Sequence, residues 1–319
     1  MFKTILVPLD GSPLSEIAVE SATRLALRTG AELLLVHTTA LEDEPERAAR
    51  STRFRGAADP QTYLDALAAL LLSEGVVART TLLPKEPVEG IVDEAALSGV
   101  DLIVMTTHRR KGLDALLHPS ITWQVLQQTD APILACKSAS EADPAAPAPL
   151  LPRFMTDKNA PILVPLDGSV QSEAALPLAL ELARAFGNPL VLVRASEQPA
   201  PMYPTGATWG TVGVGDDSLL IAEASKQLLE ETRNYLDHKR QELADVGAQA
   251  QIEAGPGPAA LLIQEAARER QAGLIVMTSR GRGWLGRLVL GSVAQSVLRE
   301  VDLPVLLARR QPLPAEEEE

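Results

Sequence analysis

The sequence predicts an α/β protein built as two tandem five-stranded parallel-sheet sandwiches, each with helices on both faces. Three observations carry that expectation. Blocks of sequence recur in the same order in the two halves, and short uninterrupted apolar runs alternate with helical patterns. The 319-residue chain is 46% hydrophobic but only 3% aromatic. Cores of Leu, Val, Ile and Ala suit parallel strands buried on both faces better than an aromatic-rich all-β domain.

The repeat is read directly. TILVPLDGS at 4–12 recurs as PILVPLDGS at 161–169, DLIVMT at 101–106 as GLIVMT at 273–278, and DAPILA at 130–135 as DLPVLL at 302–307. The expected organisation is a first domain over 1–138, a Pro- and Ala-rich linker over 139–159, a second domain over 160–310 and an acidic, solvated tail over 311–319.

In the first copy, residues 3–9 form a short apolar strand. Ser12 and Pro13 then open a helix as N-cap and first helical residue. Leu14, Ile17, Ala18, Ala22 and Leu25 make its buried stripe, and Gly30 stops it. Strand two is 32–37, helix two 61–73, strand three 76–83 and helix three 88–98. Strand four is 101–106, helix four 117–129 and strand five 132–137. The second copy repeats this with a longer second helix over 218–246. Ligands of such sheets bind beyond the carboxyl ends of the strands at the topological switch point, which selects the loops after strands one, two and four. Residues 197–217 are either a lid over that crevice or a mobile loop, the latter preferred.

The net charge of −13 argues against nucleic acid or an anionic membrane as the main partner. It leaves room for a small anion held by backbone N–H groups. The single cysteine, Cys136, reads as a small buried hydrophobe and points to a reducing compartment. The N-terminus enters a strand without a signal-peptide pattern, and no apolar run is long enough to span a bilayer. A soluble, cytoplasmic protein is expected.

The chemistry concentrates after strand four of the second copy, where Gly281, Gly283, Gly286 and Gly291 lead into Ser292 and Val293. Glycines let backbone N–H groups approach a phosphate, and a helix beginning at Gly291-Ser292 adds free N–H groups and a positive dipole end. Arg280, Arg282 and Arg287 supply local positive charge. Gly281, Gly283 and Gly286 satisfy GxGxxG, but that fingerprint belongs at the first strand-to-helix turn. Walker A spacing fails because Arg287-Leu288 replaces Lys-Ser/Thr. A glycine turn without a ligand satisfies the same spacing. Asp167, after strand one, either accepts hydrogen bonds from a base or sugar or caps its own turn. No catalytic dyad is visible. His37, His108, His118 and His238 lack metal-ligand spacing, and His238 lies in a charged, solvent-facing helix pattern.

The opening ILVPLDGS, the LIVM strand, the glycine-rich loop ending Gly-Ser-Val and the closing PVL strand together resemble the universal stress protein family, in a tandem, two-domain arrangement. The resemblance covers both copies and implies a Rossmann-like, adenine nucleotide alpha hydrolase-like fold. Its ATP-binding branch carries Gly-x2-Gly-x9-Gly-Ser/Thr after strand four and an Asp after strand one. The second copy matches at Gly281, Gly291, Ser292 and Asp167, with Thr278 in place of the first glycine. The implied nucleotide site comprises Pro165, Leu166, Asp167, Ala195, Met277, Thr278, Arg280, Gly281, Arg282, Gly291, Ser292 and Val293.

The first copy keeps Asp10 and Ser120 but has Arg109 and Pro119 where glycines belong. Pro119 has no N–H to give a phosphate, and Arg109 brings a side chain into its space. The first site is therefore expected to bind weakly or not at all. The resemblance implies a stress-response regulatory module that binds ATP or a related adenine nucleotide, with or without Mg2+, in its second domain, and not an efficient enzyme. Slow hydrolysis at the same site and a nucleotide-free dimerisation scaffold are the alternatives. The resemblance also implies pairing of the domains through their last strands. That would hide two exposed edges in an internal pseudo-dimer, with a homodimer beyond it as an option.

Overall fold

The computed structural model describes residues 2–39, 59–107, 121–137, 151–196, 217–279 and 290–308, except for the side chains of 217–221. The first half runs β1 (Thr4–Leu9), α1 (Pro13–Thr29), β2 (Glu32–Thr38), α2 (Pro60–Ser73), β3 (Ala78–Leu83), α3 (Pro87–Leu97), β4 (Leu102–Thr107), α4 (Ile121–Gln128) and β5 (Ile133–Lys137). The second half runs α5 (Arg153–Thr156), β6 (Ile162–Pro165), α6 (Val170–Glu173), α7 (Ala175–Phe186), β7 (Leu190–Ser196), α8 (Asp217–Asp245), β8 (Ala250–Pro256), α9 (Ala259–Glu269), β9 (Leu274–Thr278), α10 (Ser292–Glu300) and β10 (Val305–Ala308). The expected start of helix four, at 117–120, lies outside the described residues.

The strands form one ten-stranded sheet in the order β3-β2-β1-β4-β5-β10-β9-β6-β7-β8. Within each half every pairing is parallel. The halves join where β5 and β10 pair antiparallel, with Leu306 opposite Leu134. The expected edge pairing within the chain is thus present. In each half the chain reverses direction across the sheet between its first and fourth strands, so the switch points lie between β1 and β4 and between β6 and β9.

Side chains alternate across this sheet into two layers. Ile5, Val7, Leu33 and Leu35 pack under α1 and α2, in a core that continues to Ile162, Val164, Leu190 and Leu192 under α7 and α8. Leu6, Leu34, Ile103 and Met105 face the other way with Ile91 and Val125, and Leu163, Val191, Ile275 and Met277 meet Ile263 and Val297. The first helix starts as read. Ser12 Oγ accepts from Ser15 N–H at 3.2 Å, and Gly30 closes the helix in the left-handed region at φ 76°. Ala18, Ala22 and Leu25 are buried, while Leu14 and Ile17 are only partly so.

Two features depart from a simple repeat. The helix after β6 is broken into α6 and α7, where α1 is continuous. Pro177 lacks an N–H and its ring crowds the carbonyl four residues back, that of Glu173, where α6 ends. The last part of the expected linker is also packed: Phe154 in α5 is 1% exposed. Its ring meets Phe186 edge-on, with centroids 5.3 Å apart.

Candidate functional site

Because β6 lies beside β9, their carboxyl ends bring Pro165, Leu166 and Asp167 next to Met277 and Thr278. Ala195 stands on the far side of β6, near the end of β7, paired with Gly255 of β8. Leu166 and Met277 are buried. Asp167, Ala195 and Thr278 are half-buried at the rim. The crevice is thus framed by residues that the sequence singled out. Arg280, Gly281 and Arg282 lie outside the described residues. A groove of about 400 Å³ between α1 and α2, lined by Glu20, Arg24, Leu27 and Glu74 among others, is remote from this crevice.

Asp167 organises its own turn. Its Oδ1 accepts from Ser169 N–H at 2.9 Å and from the Ser169 hydroxyl. Its N–H donates to Ser172 Oγ at 3.2 Å. Ser169 in turn caps α6, accepting from Ser172 N–H at 3.1 Å. The local capping role of Asp167 is therefore present in the structure.

The loop after β9 returns through Gly291, whose N–H donates to Ser279 O at 2.8 Å. That N–H is engaged, so Gly291 does not offer it to an anion. Gly291 is the N-cap of α10, with φ −61° and ψ 149°, a conformation open to any residue. What glycine contributes there is the absence of a side chain beside the helix start. The first intrahelical bond is Gln295 N–H to Gly291 O at 2.9 Å. The N–H groups of Ser292, Val293 and Ala294 thus have no intrahelical acceptor. They point out at the positive end of the helix dipole. Ser292 is exposed and Val293 half-buried.

In the first half two threonine hydroxyls tie the end of β4 to its neighbours. Thr106 Oγ1 donates to Leu14 O at 2.9 Å, and Thr122 Oγ1 donates to Thr106 O at 2.9 Å. These bonds run from the end of β4 to the start of α1 and to α4. Asp10 Oδ1 accepts from Ser12 N–H at 2.9 Å, as Asp167 does in its own turn. His37, at the end of β2, bonds Leu9 O through Nδ1 at 2.8 Å. Arg109, Pro119 and Ser120 lie outside the described residues.

Sequence reasoning missed a cluster beside the second crevice. Tyr235 on α8 donates from its hydroxyl to Glu173 Oε1 at 2.8 Å. The Arg194 guanidinium stacks over its ring, 4.5 Å from the centroid. Lys239 reaches Glu173 Oε2 at 3.0 Å. Burial, then the bond to Glu173, push the Tyr235 hydroxyl above its ordinary pKa. The first half repeats the central contact: Tyr63 donates to Glu16 Oε1 at 3.2 Å. A signal was available, since Glu16 and Glu173 each follow the repeated Asp by six residues.

Among the described residues, no group of three His, Cys, Asp or Glu could hold a metal ion, and no helix is long and apolar enough to cross a membrane. His238 is exposed and lies 3.1 Å from Glu242. Cys136 is buried, and burial pushes its thiol up to about 11.

A family model described as the universal stress protein family matches residues 1–137 and 158–309. The chain is 25% identical over 320 residues to a universal stress protein of Mycolicibacterium smegmatis, with 96% of each chain covered. A universal stress protein of Thermus aquaticus is 34% identical over 148 residues, which are 46% of this chain and 97% of that one. The crystal structure of a universal stress protein from Archaeoglobus fulgidus superposes with a TM-score of 0.64 at 18% identity, covering 97% of both chains, a likeness of fold.

Proposed function

The chain belongs to the universal stress protein family, and from that premise we propose that its second half binds ATP or a related adenine nucleotide as a regulatory module of the stress response. One observation carries the reading. The switch-point crevice between β6 and β9 opens beside a helix start whose first-turn amides have no internal acceptor and whose cap residue has no side chain. Such a start suits phosphate. Ser292 and Val293 would donate to phosphate, with the Ser292 hydroxyl in reach of the same anion. Pro165, Leu166 and Ala195 would wall the base, and Asp167 would take the nucleoside. Arg280, Gly281, Arg282 and Thr278 would complete the phosphate side, and Mg2+ would accompany the nucleotide. The first half binds weakly or not at all on this reading, because Pro119 and Arg109 replace glycines. The module signals through its bound state and turns ATP over slowly, since the sequence shows no residue dedicated as a general base there.

A second reading, a nucleotide-free scaffold, draws on the engagement of Asp167 in its own turn and on the β5–β10 seam. One experiment divides the two. The purified protein is denatured and assayed for released nucleotide, and ATP is titrated against wild type and Gly291→Asp. The backbone at Gly291 is one that any residue adopts, and circular dichroism of both proteins checks that the variant folds. It places a carboxylate at the helix start and should lower affinity by at least about tenfold, the cost of a like-charge contact there. Equal affinity in both proteins refutes the site. No binding in wild type favours the scaffold.

A further inference from the structure

We propose that Tyr235 is a positioning residue for this crevice, tying the turn that carries Asp167 to the strand end that carries Ala195. The proposal rests on the nucleotide reading above for its functional consequence, but its structural half stands alone. Tyr235 touches both walls at once: its ring lies against Arg194, the residue before Ala195, and its hydroxyl holds Glu173.

Glu173 needs an outside tether. Pro177 has no N–H to bond the Glu173 carbonyl, so α6 is a four-residue piece joined to α7 through the helical Ala174 without that ladder bond. That piece carries Ser172, which receives the Asp167 N–H, and Ser169 before it binds the Asp167 carboxylate. The position of Asp167 therefore follows the position of α6, and α8 fixes α6 through Tyr235 and Lys239. In the first half the matching Glu16 lies inside an unbroken seventeen-residue helix, held by its own backbone ladder. There Tyr63 adds burial to a segment already in place. The same contact is a clamp in one half and packing in the other.

The test uses the full chain. Tyr235→Phe keeps the ring over Arg194 and removes the bond to Glu173. Amide hydrogen exchange over residues 166–173, measured without nucleotide, should speed by about three- to tenfold, the range expected for one lost hydrogen bond. The dissociation constant for ATP should rise by a similar factor. Tyr63→Phe should leave the ATP affinity unchanged and should not speed exchange over 166–173 beyond any change it causes in the globally exchanging strands β6 and β7. Glu173→Gln, which still accepts from the Tyr235 hydroxyl, should lie closer to wild type than Glu173→Ala. Unchanged exchange over 166–173 in Tyr235→Phe overturns the proposal, as does an equal change in Tyr63→Phe. If wild type binds no ATP, the nucleotide reading falls, and the exchange comparison still upholds or overturns the tether.

Discussion

At the scale of single residues, the repeated Asp has the same local task in both halves. Asp10 and Asp167 each accept from the N–H two residues on. At Asp10, partial desolvation pushes the carboxyl up, but hydrogen bonds from Ser12 and Ser15 outweigh it and hold the group below its ordinary 3.8. A depressed folded pKa means that the unfolded chain binds the proton more readily. The stabilisation is therefore fully present above the unfolded value and is lost as pH falls through the folded one. Asp10→Ala should be less stable than wild type near neutrality, and the gap should close between about pH 5 and pH 2. Urea unfolding of both proteins at stepped pH measures this. A gap constant down to pH 2 would show that the carboxylate charge has no part in the turn.

At the scale of elements, α5 shows how a segment with linker composition gains a structural role. Phe154 fills a site against Phe186, and Arg28 of α1 lies 5.8 Å over the other ring. Gly273 makes room for it, since a Cβ there would stand 2.6 Å from the Phe154 backbone N. Truncating this fully buried ring leaves a cavity, so Phe154→Ala should cost about 3–5 kcal/mol in urea unfolding. A cost below about 1 kcal/mol would mean that α5 is not part of the core.

The same region marks the limit of what the sequence discloses. Strands and helix starts were legible because each follows from local patterns, repeated apolar blocks and Ser12-Pro13, whereas the β5–β10 pairing was expected only from the family resemblance. The packing of Phe154 was not, because one aromatic among Pro and Ala carries no period. Nor was the Tyr235 clamp, which joins residues 62 apart. The broken helix after β6 was legible in principle, since Pro177 is in plain view within the expected helix. Of the candidate site, Pro165, Leu166, Asp167, Met277 and Thr278 lie at neighbouring strand ends, and the engagement of the Gly291 N–H, which depends on where Ser279 falls, was not legible.

At the scale of the whole molecule, the seam makes the halves one folding unit. Ile133, Leu134, Val305, Leu306 and Leu307 are at most 1% exposed where β5 meets β10. Burial of a large aliphatic side chain is worth about 1.5–3 kcal/mol. Partial exposure of these five on separation would already cost an amount comparable to the roughly 5–15 kcal/mol stability of an ordinary domain. Contacts away from the strands add to this. Phe2 N–H donates to Glu181 across the halves at 2.9 Å, and Lys137 reaches the Leu298 carbonyl at the end of α10. A half that unfolded alone would strip its partner of these contacts and leave it an open sheet edge. Calorimetry should therefore show a single transition with equal calorimetric and van't Hoff enthalpies. Leu67→Ala, on the buried face of α2 in the first half, should cost about 2–5 kcal/mol. It should move the whole transition down together, including loss of hydrogen-exchange protection in β6 and β7. Two resolved transitions, with only the lower one displaced, would refute the coupling. A shared transition would also mean that the first half contributes to any ligand site in the second by keeping β9 and β6 folded.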